Sequence, residues 1–343
     1  MHPSPPVTLR PGRRRLLGAL PMLCTAMWMR PALADPRVGR SSRVLMGTRV
    51  DITVEGRHAD AAEPAMAAAW TEMQRLVDMM SRYRTDSLVH ALQRAAGRQA
   101  VAVPPEMLRV LQMARDVSAR SLGAFDITVG AFSGWDFDPA HPMIPNAAEI
   151  AREIPLVNYR DLLIDPGRGT AFLQRRGMRI DLGGIAKLPV LQAGMAALLR
   201  HHDLAGAMIN GGGDVLVSGQ LQGRDWRIGV RDPLAPGRLI GALALSDGVV
   251  ASSGDYERAF VMAGRRYHHI LDPRTGQPAA GPHGVTLVAR GVEEINGLGA
   301  AIMVAGSRAG RRLLAPLRGV DALIVAGDGQ TWMSDGMATR LRA

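Results

Sequence analysis

Residues 207–218 read Ala-Met-Ile-Asn-Gly-Gly-Gly-Asp-Val-Leu-Val-Ser, with an apolar segment on each side of a polar, glycine-rich loop. The flanking segments Ala207–Ile209 and Val215–Ser218 are short and apolar, which is typical of buried strands. The glycines of the loop, residues 210–214, are expected equally of a tight turn and of a loop that holds a ligand. The stretch therefore predicts two strands that follow one another closely, and it leaves the role of the loop open.

Further strand-like segments lie on both sides of this stretch, at Val44–Val54, Leu162–Ile164, Ala171–Gln174, Arg179–Leu182, Trp226–Val230, Ile240–Leu245, Phe260–Met262 and Gly284–Ala289. Helical spacing of apolar residues predicts helices over Ala59–Tyr83, Pro104–Ser121, Ile185–His202, Ile295–Ala305 and Arg308–Leu314. Residues 137–158 are rich in Pro and Asp and are expected to form a surface excursion. The strands cluster in hairpin-like groups instead of alternating with helices, which favours an α+β fold with mixed or antiparallel sheets flanked by helices.

Composition describes a soluble globular chain, since 47% of the 343 residues are hydrophobic and 21% are charged. Five arginines and no acidic residue lie in residues 1–34, so the net charge of +10 falls to +5 without them. No run of basic residues in the remainder is interleaved with aromatic residues, and no nucleic-acid partner is expected. The only cysteine, Cys24, also lies in residues 1–34. The rest of the chain can therefore form neither a disulfide nor a cysteine metal site.

Residues 1–34 have the pattern of an export signal. Paired arginines at 13–15 precede a moderately apolar stretch from Leu16 to Met29, and Ala32-Leu33-Ala34 offers a small-x-small cleavage site. The pattern predicts a twin-arginine signal peptide, with the alternative that residues 1–34 are an arginine-rich tail. We expect one domain over residues 35–343, exported to the periplasm.

Residues 181–187, Asp-Leu-Gly-Gly-Ile-Ala-Lys, place two glycines between a predicted strand and a predicted helix. Bare backbone amides at a helix start favour anionic oxygens, so this turn is a candidate phosphate site. Lys187 is the only lysine among 41 basic residues. A single compact ammonium in a chain that otherwise uses arginine indicates a site that a planar guanidinium does not fit, with chance as the alternative.

Residues 267–276, Tyr-His-His-Ile-Leu-Asp-Pro-Arg-Thr-Gly, place a histidine at the end of a strand beside a turn. A neutral imidazole there is suited to take a proton from an attacking hydroxyl near pH 7. Two alternatives remain at this point, a metal ligand and a structural histidine bonded to the turn.

These segments together resemble the ApbE family of FAD:protein FMN transferases. The resemblance runs in register through residues 46–48, 81–83 with 87–88, 123–126 with 128–130, 181–187, 210–214, 253–256 and 269–276. It implies an ApbE-like fold with an FAD groove between lobes. It also implies an enzyme that holds Mg²⁺ on the diphosphate of FAD, transfers FMN to a threonine hydroxyl of an acceptor protein and releases AMP.

The resemblance also implies roles for individual residues. His269 would be the base that activates the acceptor hydroxyl, and Lys187 would contact the phosphates. Residues that would line the flavin or adenine ends of the groove are Met46, Tyr83, Ala124, Phe125, Asp126, Asp181 and Ile270. The implied acceptor is a flavoprotein subunit of a respiratory or reductase complex, through which alone the enzyme would meet a membrane.

The implied metal site departs from the family pattern. Gly184 would offer its carbonyl to Mg²⁺, but Asn296 stands where the family has Asp, and Ala300 stands where it has Thr. Mg²⁺ prefers charged oxygen ligands in octahedral order, so we expect a weakened site. Three functions remain in view: transfer, a role as an FAD-binding accessory or assembly protein with little turnover, and hydrolysis of FAD to FMN and AMP.

Overall fold

The computed structural model describes residues 37–342, and the predicted signal peptide over residues 1–34 lies outside them. The strands are β1 (Val38–Leu45), β2 (Thr48–Gly56), β3 (Val101–Ala102), β4 (Leu162–Asp165), β5 (Thr170–Leu173), β6 (Leu204–Gly211), β7 (Asp214–Gly219), β8 (Trp226–Arg231), β9 (Leu239–Leu245), β10 (Gly248–Gly254), β11 (Ala259–Met262), β12 (Arg265–His268), β13 (Gly284–Ala289), β14 (Asp321–Val325) and β15 (Thr331–Met333). The helices are α1 (Ala62–Met80), α2 (Leu88–Ala95), α3 (Pro105–Arg120), α4 (Ala147–Glu153), α5 (Lys187–Leu199), α6 (Val292–Ile295), α7 (Leu298–Ala305), α8 (Ser307–Leu314) and α9 (Asp335–Arg340). Over this described range, no helix is long and apolar enough to span a bilayer.

An eight-stranded sheet in the order β1-β2-β6-β7-β10-β13-β14-β15 forms the centre of the fold. Its neighbouring strands all pair antiparallel. The remaining strands form a three-stranded sheet, β3-β5-β4, and the two hairpins β8–β9 and β11–β12. Antiparallel sheets with helices packed against them confirm the predicted α+β class.

The two faces of the large sheet are covered differently. Ile52, Ile209 and Leu287 point to the face that packs against helices α1, α5 and α7. Side chains of the opposite register, such as Val217 and Val288, pack under the β8–β9 hairpin and α9. Since successive side chains of a strand point to opposite faces, both sides of the central strands are buried. This explains why β13 is buried along its whole length.

Helix α5 lies close to α1 because a glycine stands at their contact. A methyl group at Gly194 would lie 2.7 Å from Cγ and Sδ of Met73, a residue of α1 that is fully buried. Helix α5 is also the helix that begins at Lys187. Helix α5, and with it Lys187, is thus positioned by the main aliphatic core.

A small aromatic cluster lies apart from this core. It consists of Phe132, Trp135, Phe137, Phe260 and Tyr267, together with Ile150 and neighbouring aliphatic side chains. The rings of Trp135 and Phe137 stack with centroids 5.4 Å apart, and those of Phe260 and Tyr267 stack with centroids 5.2 Å apart. The cluster joins the 132–153 region to the β11–β12 hairpin, and the chain leaves that hairpin at His269.

Two predicted strands are wrong. Val44–Val54 is not one strand but parts of β1 and β2, because Met46 and Gly47 form a two-residue hairpin turn with φ angles of 54° and 72°. Arg179–Leu182 is not a strand, since its polar backbone atoms bond outside any sheet: Asp181 N donates to Ile127 O at 2.7 Å. Its apolar residues Ile180 and Leu182 are buried although they lie in a loop.

Several helices and strands were not predicted from the sequence. The 137–158 excursion contains helix α4, which begins with a capping box between Asn146 and Glu149. Also not predicted were α2, α6, α9, β3, β10, β12, β14 and β15. Strand β10 shows the reason: it lies at the centre of the sheet but reads Gly-Val-Val-Ala-Ser-Ser-Gly, whose small polar residues are typical of a turn.

Candidate functional site

The glycine turn directly precedes helix α5, as the sequence predicts, but it follows a loop instead of the predicted strand. Residues 182–186 turn tightly, with the amides of Ile185 and Ala186 both donating to Leu182 O at 3.0 and 2.8 Å, and α5 begins at Lys187. The carboxylate of Asp181 accepts the Gly183 amide at 2.8 Å and pairs with the Arg82 guanidinium. The Asp181 carboxylate is thus held by a backbone amide and by a guanidinium. The sequence analysis did not assign a role to Arg82.

Lys187 brings the second glycine-rich loop to this turn. Its Nζ lies 3.0 Å from Oδ2 of Asp214, whose other oxygen accepts the Ser252 amide at 3.0 Å. Within the same loop, Asn210 Oδ1 accepts the Gly213 amide at 3.0 Å. The 210–214 loop is therefore both a tight turn and part of the candidate site, and its pairing with Lys187 has no signal in the sequence.

The two adjacent histidines have different surroundings. His268 is buried and bonded at both ring nitrogens, with Nε2 2.9 Å from Ala279 O and Nδ1 3.4 Å from the Ile270 amide. The half-buried His269 has a buried Nδ1 without a hydrogen-bond partner within residues 37–342. The structural role that the sequence left open for this pair thus fits His268, and His269 keeps an uncommitted ring.

Burial lowers the pKa of His269 to about 4, and the positive charge of Arg258 lowers it further in the same direction. The charge of Lys187 is also among the causes, so the imidazole and the ammonium lie within electrostatic reach of one another. A histidine with this pKa is neutral at pH 7 and can accept a proton. Arg258, whose backbone carbonyl accepts the His269 amide at 3.1 Å, was not found by sequence reasoning.

The segment after His269 is fixed by the aromatic cluster. Trp135 Nε1 donates to Gly276 O at 2.9 Å. Gly276 has φ +67°, and a methyl group there would lie 2.6 Å from Cγ2 of Ile150. The turn closes on itself through Asp272, whose carbonyl accepts the Gly276 amide at 2.9 Å. The cluster therefore sets the position of the loop that carries the imidazole.

Two of the predicted groove residues, Phe125 and Asp126, have defined contacts near the glycine turn and within the fold. Phe125 lies against the glycine turn, since a methyl group at Gly184 would be 3.1 Å from its Cε2. Asp126 has a structural role: it accepts the amide and hydroxyl of Thr128 and the amide of Tyr159, at 2.6 to 2.8 Å. Burial raises the pKa of Asp126.

The other predicted groove residues contribute surfaces. Ala124 is buried beside Phe125, and Met46 and Ile270 are half-buried against the main core. Tyr83 is exposed, with the Arg82 guanidinium 5.2 Å above its ring.

The residues at the implied metal position do not fit Mg²⁺. Asn296 directs its amide nitrogen at Ile185 O, 2.9 Å away, and so presents a hydrogen-bond donor there. Ala300 offers only a methyl group, 4.0 Å from where a Cβ of Gly184 would lie. Glu294 uses its carboxylate on the amides of Arg290 and Gly291 at the start of α6. Within residues 37–342, no three His, Cys, Asp or Glu side chains group as a metal site requires.

Comparison with known proteins places this geometry in a family. The model of the ApbE family matches residues 46–324. A FAD:protein FMN transferase of Klebsiella pneumoniae (strain 342) is 32% identical over 248 residues, which cover 72% of this chain and 75% of that protein. One of Treponema pallidum (strain Nichols) is 30% identical over 326 residues, covering 89% of this chain and 90% of that protein.

Solved structures agree. The crystal structure of an ApbE protein of Thermotoga maritima superposes with a TM-score of 0.81 at 30% identity, covering 89% of this chain and 100% of that chain. The flavin transferase ApbE of Vibrio cholerae superposes with a TM-score of 0.76 at 25% identity, covering 89% and 100%. The family match spans both glycine-rich loops and the His269 segment, and the chain belongs to the ApbE family.

Proposed function

We propose that this protein is a FAD:protein FMN transferase that moves the FMN part of FAD to a threonine hydroxyl of an acceptor protein and releases AMP. The family and the names of the relatives support the flavin transferase class. The observation that carries the proposal is the uncommitted, neutral imidazole of His269 within electrostatic reach of the only lysine. A base and a cation that reach the same diphosphate would supply the positioning and the charge neutralisation on which phosphoryl transfer depends.

The glycine turn with Lys187 and the loop with His269 have different roles in the proposed reaction. The ammonium of Lys187 neutralises the diphosphate, and the N-terminus of α5 helps to orient it. The imidazole of His269 takes the proton as the threonine oxygen bonds to the phosphorus of the FMN half, and the bridging P–O bond to AMP breaks. AMP leaves with the electron pair of that bond, and the proton passes from the imidazole to solvent.

The test is labelling of an acceptor that carries a threonine in an exposed loop, read by in-gel flavin fluorescence, with released AMP measured in parallel. We expect His269→Ala to abolish labelling while FAD remains bound, since a general base contributes roughly 10²–10⁴-fold. His141→Ala, a change at an exposed histidine, is the matched control and should label as the wild type does. Full labelling by His269→Ala would remove the assigned base.

The accessory role remains the second candidate, and the observation in its favour is the poor donor set at Asn296 and Ala300. The same assay separates the functions. AMP with a fluorescent acceptor supports transfer, AMP without one supports hydrolysis, and bound flavin without AMP supports the accessory role.

We also propose a periplasmic location, reached by the twin-arginine route, with cleavage before Asp35 and an acceptor subunit of a respiratory or reductase complex as partner. The support is the arginine pair and the small-x-small site within residues 1–34. N-terminal sequencing of protein recovered from the periplasm should begin near Asp35. Periplasmic protein that still begins at Met1, or protein confined to the cytoplasm, would overturn the proposal.

A further inference from the structure

The corner between α6 and α7 contacts the glycine turn through one buried side chain. Asn296 is 3% exposed and stands in extended conformation between the two helices, followed by Gly297 with φ +72°. Its backbone amide closes α6 on Val292 O at 2.9 Å. Its side-chain amide crosses to Ile185 O, also at 2.9 Å, and is 3.8 Å from Sδ of Met113. The corner is therefore joined to the turn that precedes α5.

The carbonyl that Asn296 meets has lost its helical donor. Ile185 lies just before α5, where its carbonyl would accept the amide four residues on, and that residue is Pro189. Proline has no N–H group, so the ladder of α5 starts one residue later, with Val190 N on Ala186 O at 3.0 Å. A buried carbonyl without a donor costs about 1–3 kcal/mol. Asn296 supplies the missing donor, so Pro189 and Asn296 compensate one another.

The same position is unsuited to a cation. An N–H group directed at a carbonyl is the positive end of a dipole, which repels a metal ion from that oxygen. The space beside it is filled by apolar groups, the ring of Phe125 against Gly184 and Gly297 and the methyl group of Ala300. In the described part of the chain, the Asn296 side chain bonds the Ile185 carbonyl and the Met113 sulfur, and neither is an anionic oxygen.

We propose that the Asn296 amide, rather than a divalent cation, fixes the glycine turn in this protein, so that FAD binds without Mg²⁺. The inference deepens the proposed function and rests on it for the identity of the ligand. The positive charge at the diphosphate then comes from the protein, through Lys187 and the amides at the start of α5. An aspartate at position 296 would set a carboxylate against the Ile185 carbonyl and would need a cation between them.

Two measurements on the full-length chain test the proposal, each made in EDTA and in Mg²⁺ at matched ionic strength. They are the dissociation constant for FAD, from flavin fluorescence, and the midpoint of thermal unfolding without FAD. For the wild type, we expect the dissociation constant to change by less than about twofold and the midpoint to stay the same, since a ligand that does not bind the folded state gives no stabilisation. A gain of about tenfold in FAD affinity with Mg²⁺, or a midpoint raised by Mg²⁺, would overturn the proposal.

Two variants make the test specific. Asn296→Asp with Ala300→Thr should unfold at a lower temperature in EDTA than the wild type, and Mg²⁺ should restore the midpoint and tighten FAD binding. Asn146→Asp makes the same chemical change at an exposed helix cap, and it should show no response to Mg²⁺. A double variant that ignores Mg²⁺ would contradict the assignment of this corner as the place where a cation and the Asn296 amide exclude one another.

A mutant cycle tests the compensation without metal. Asn296→Ala should lower the midpoint less in a Pro189→Ala background than in the wild type, because the proline replacement itself restores the helical N–H donor to Ile185 O. Equal losses in the two backgrounds would show that the proline and the asparagine act independently, against the inference. If FAD binds in neither buffer, the proposed function fails together with the statement about FAD binding, while the Mg²⁺ response of the midpoint still decides whether the Asn296 amide takes the place of a cation at this corner.

Discussion

The two sides of the candidate site, the glycine turn with Lys187 and the loop with His269, pack against different hydrophobic clusters. The glycine turn and Lys187 begin a helix of the main aliphatic core, which also holds the large sheet. His269 follows a two-stranded hairpin that rests on the separate aromatic cluster. The chain has few aromatic residues, with 4% Phe, Trp and Tyr in all, and five of them are in this cluster. Binding of the diphosphate and activation of the acceptor should therefore respond to different mutations.

The largest effect that separates the two sides is expected from Lys187→Ala. The change removes the only ammonium and leaves the Asp214 carboxylate buried and unpaired, so FAD affinity should fall by about 10- to 100-fold, corresponding to a charge-assisted contact of about 1.5–3 kcal/mol. The unfolding midpoint should fall as well. Fluorescence titration and thermal unfolding check both.

The control for Lys187→Ala is Lys187→Met combined with Asp214→Asn. This pair should recover much of the midpoint, because no buried charge is left, and none of the affinity. Unchanged FAD binding in Lys187→Ala would separate the ammonium from the diphosphate.

A smaller effect, on the other side, is expected from Trp135→Phe. The ring remains in the cluster, but the donor to Gly276 O is lost, at a cost of about 1 kcal/mol. Labelling should fall several-fold through displacement of the His269 loop, and the FAD dissociation constant should not change.

Trp226→Phe is the matched control for Trp135→Phe, because Trp226 is buried under the large sheet and its Nε1 has no partner in the described part of the chain. It should label as the wild type does and be as stable or more stable. Loss of FAD affinity in Trp135→Phe would show that the two sides are not independent.

The smallest effect is a shift in pH dependence. Since the pKa of His269 is lowered from 6.5 to about 4, the acid limb of the labelling rate should lie near pH 4, well below that of an ordinary histidine. Arg258→Gln removes a positive charge that lowers this pKa, so the limb should move to higher pH by a fraction of a unit. Arg238→Gln, at an exposed arginine, is the control. An acid limb at pH 6.5 in the wild type would contradict the burial of this imidazole.

The lowered pKa of His269 also makes the free energy of unfolding depend on pH. The unfolded chain binds a proton at His269 below about pH 6.5, whereas the folded chain does not until about pH 4. Unfolding is therefore favoured progressively as the pH falls through this window, and this contribution is absent above it. His269→Gln should reduce the pH dependence of the unfolding midpoint between pH 6.5 and 4.

Local patterns in the sequence were enough for part of the fold and of the site. The periodicity of α1, α3 and α5 and the α+β class follow from apolar spacing and from the grouping of the strands, and the start of α5 was predicted two residues too early, at Ile185. Strands whose burial depends on neighbours distant in sequence were not accessible, as β10 shows with its small polar residues. The resemblance to a family supplied the proposed role of His269, and the structure shows that His268 has different hydrogen bonds.

Contacts between distant segments account for the rest. The Lys187–Asp214 pair joins two loops that are each ambiguous alone, and the bond from Asn296 to Ile185 O spans 111 residues. In the sequence, nothing connects Pro189 with Asn296, which stands where the family has Asp. Only the folded chain shows that one removes a donor and the other supplies it.

We propose that the diphosphate of FAD lies between the 181–187 turn and the imidazole of His269. A crystal structure of the protein with FAD, grown in EDTA, would show where the phosphates bind. We expect phosphate oxygens within hydrogen-bond distance of Lys187 Nζ, with the His269 ring on the same side of the diphosphate. Phosphates bound elsewhere, or side chains of Lys187 and His269 that open into different cavities, would contradict it.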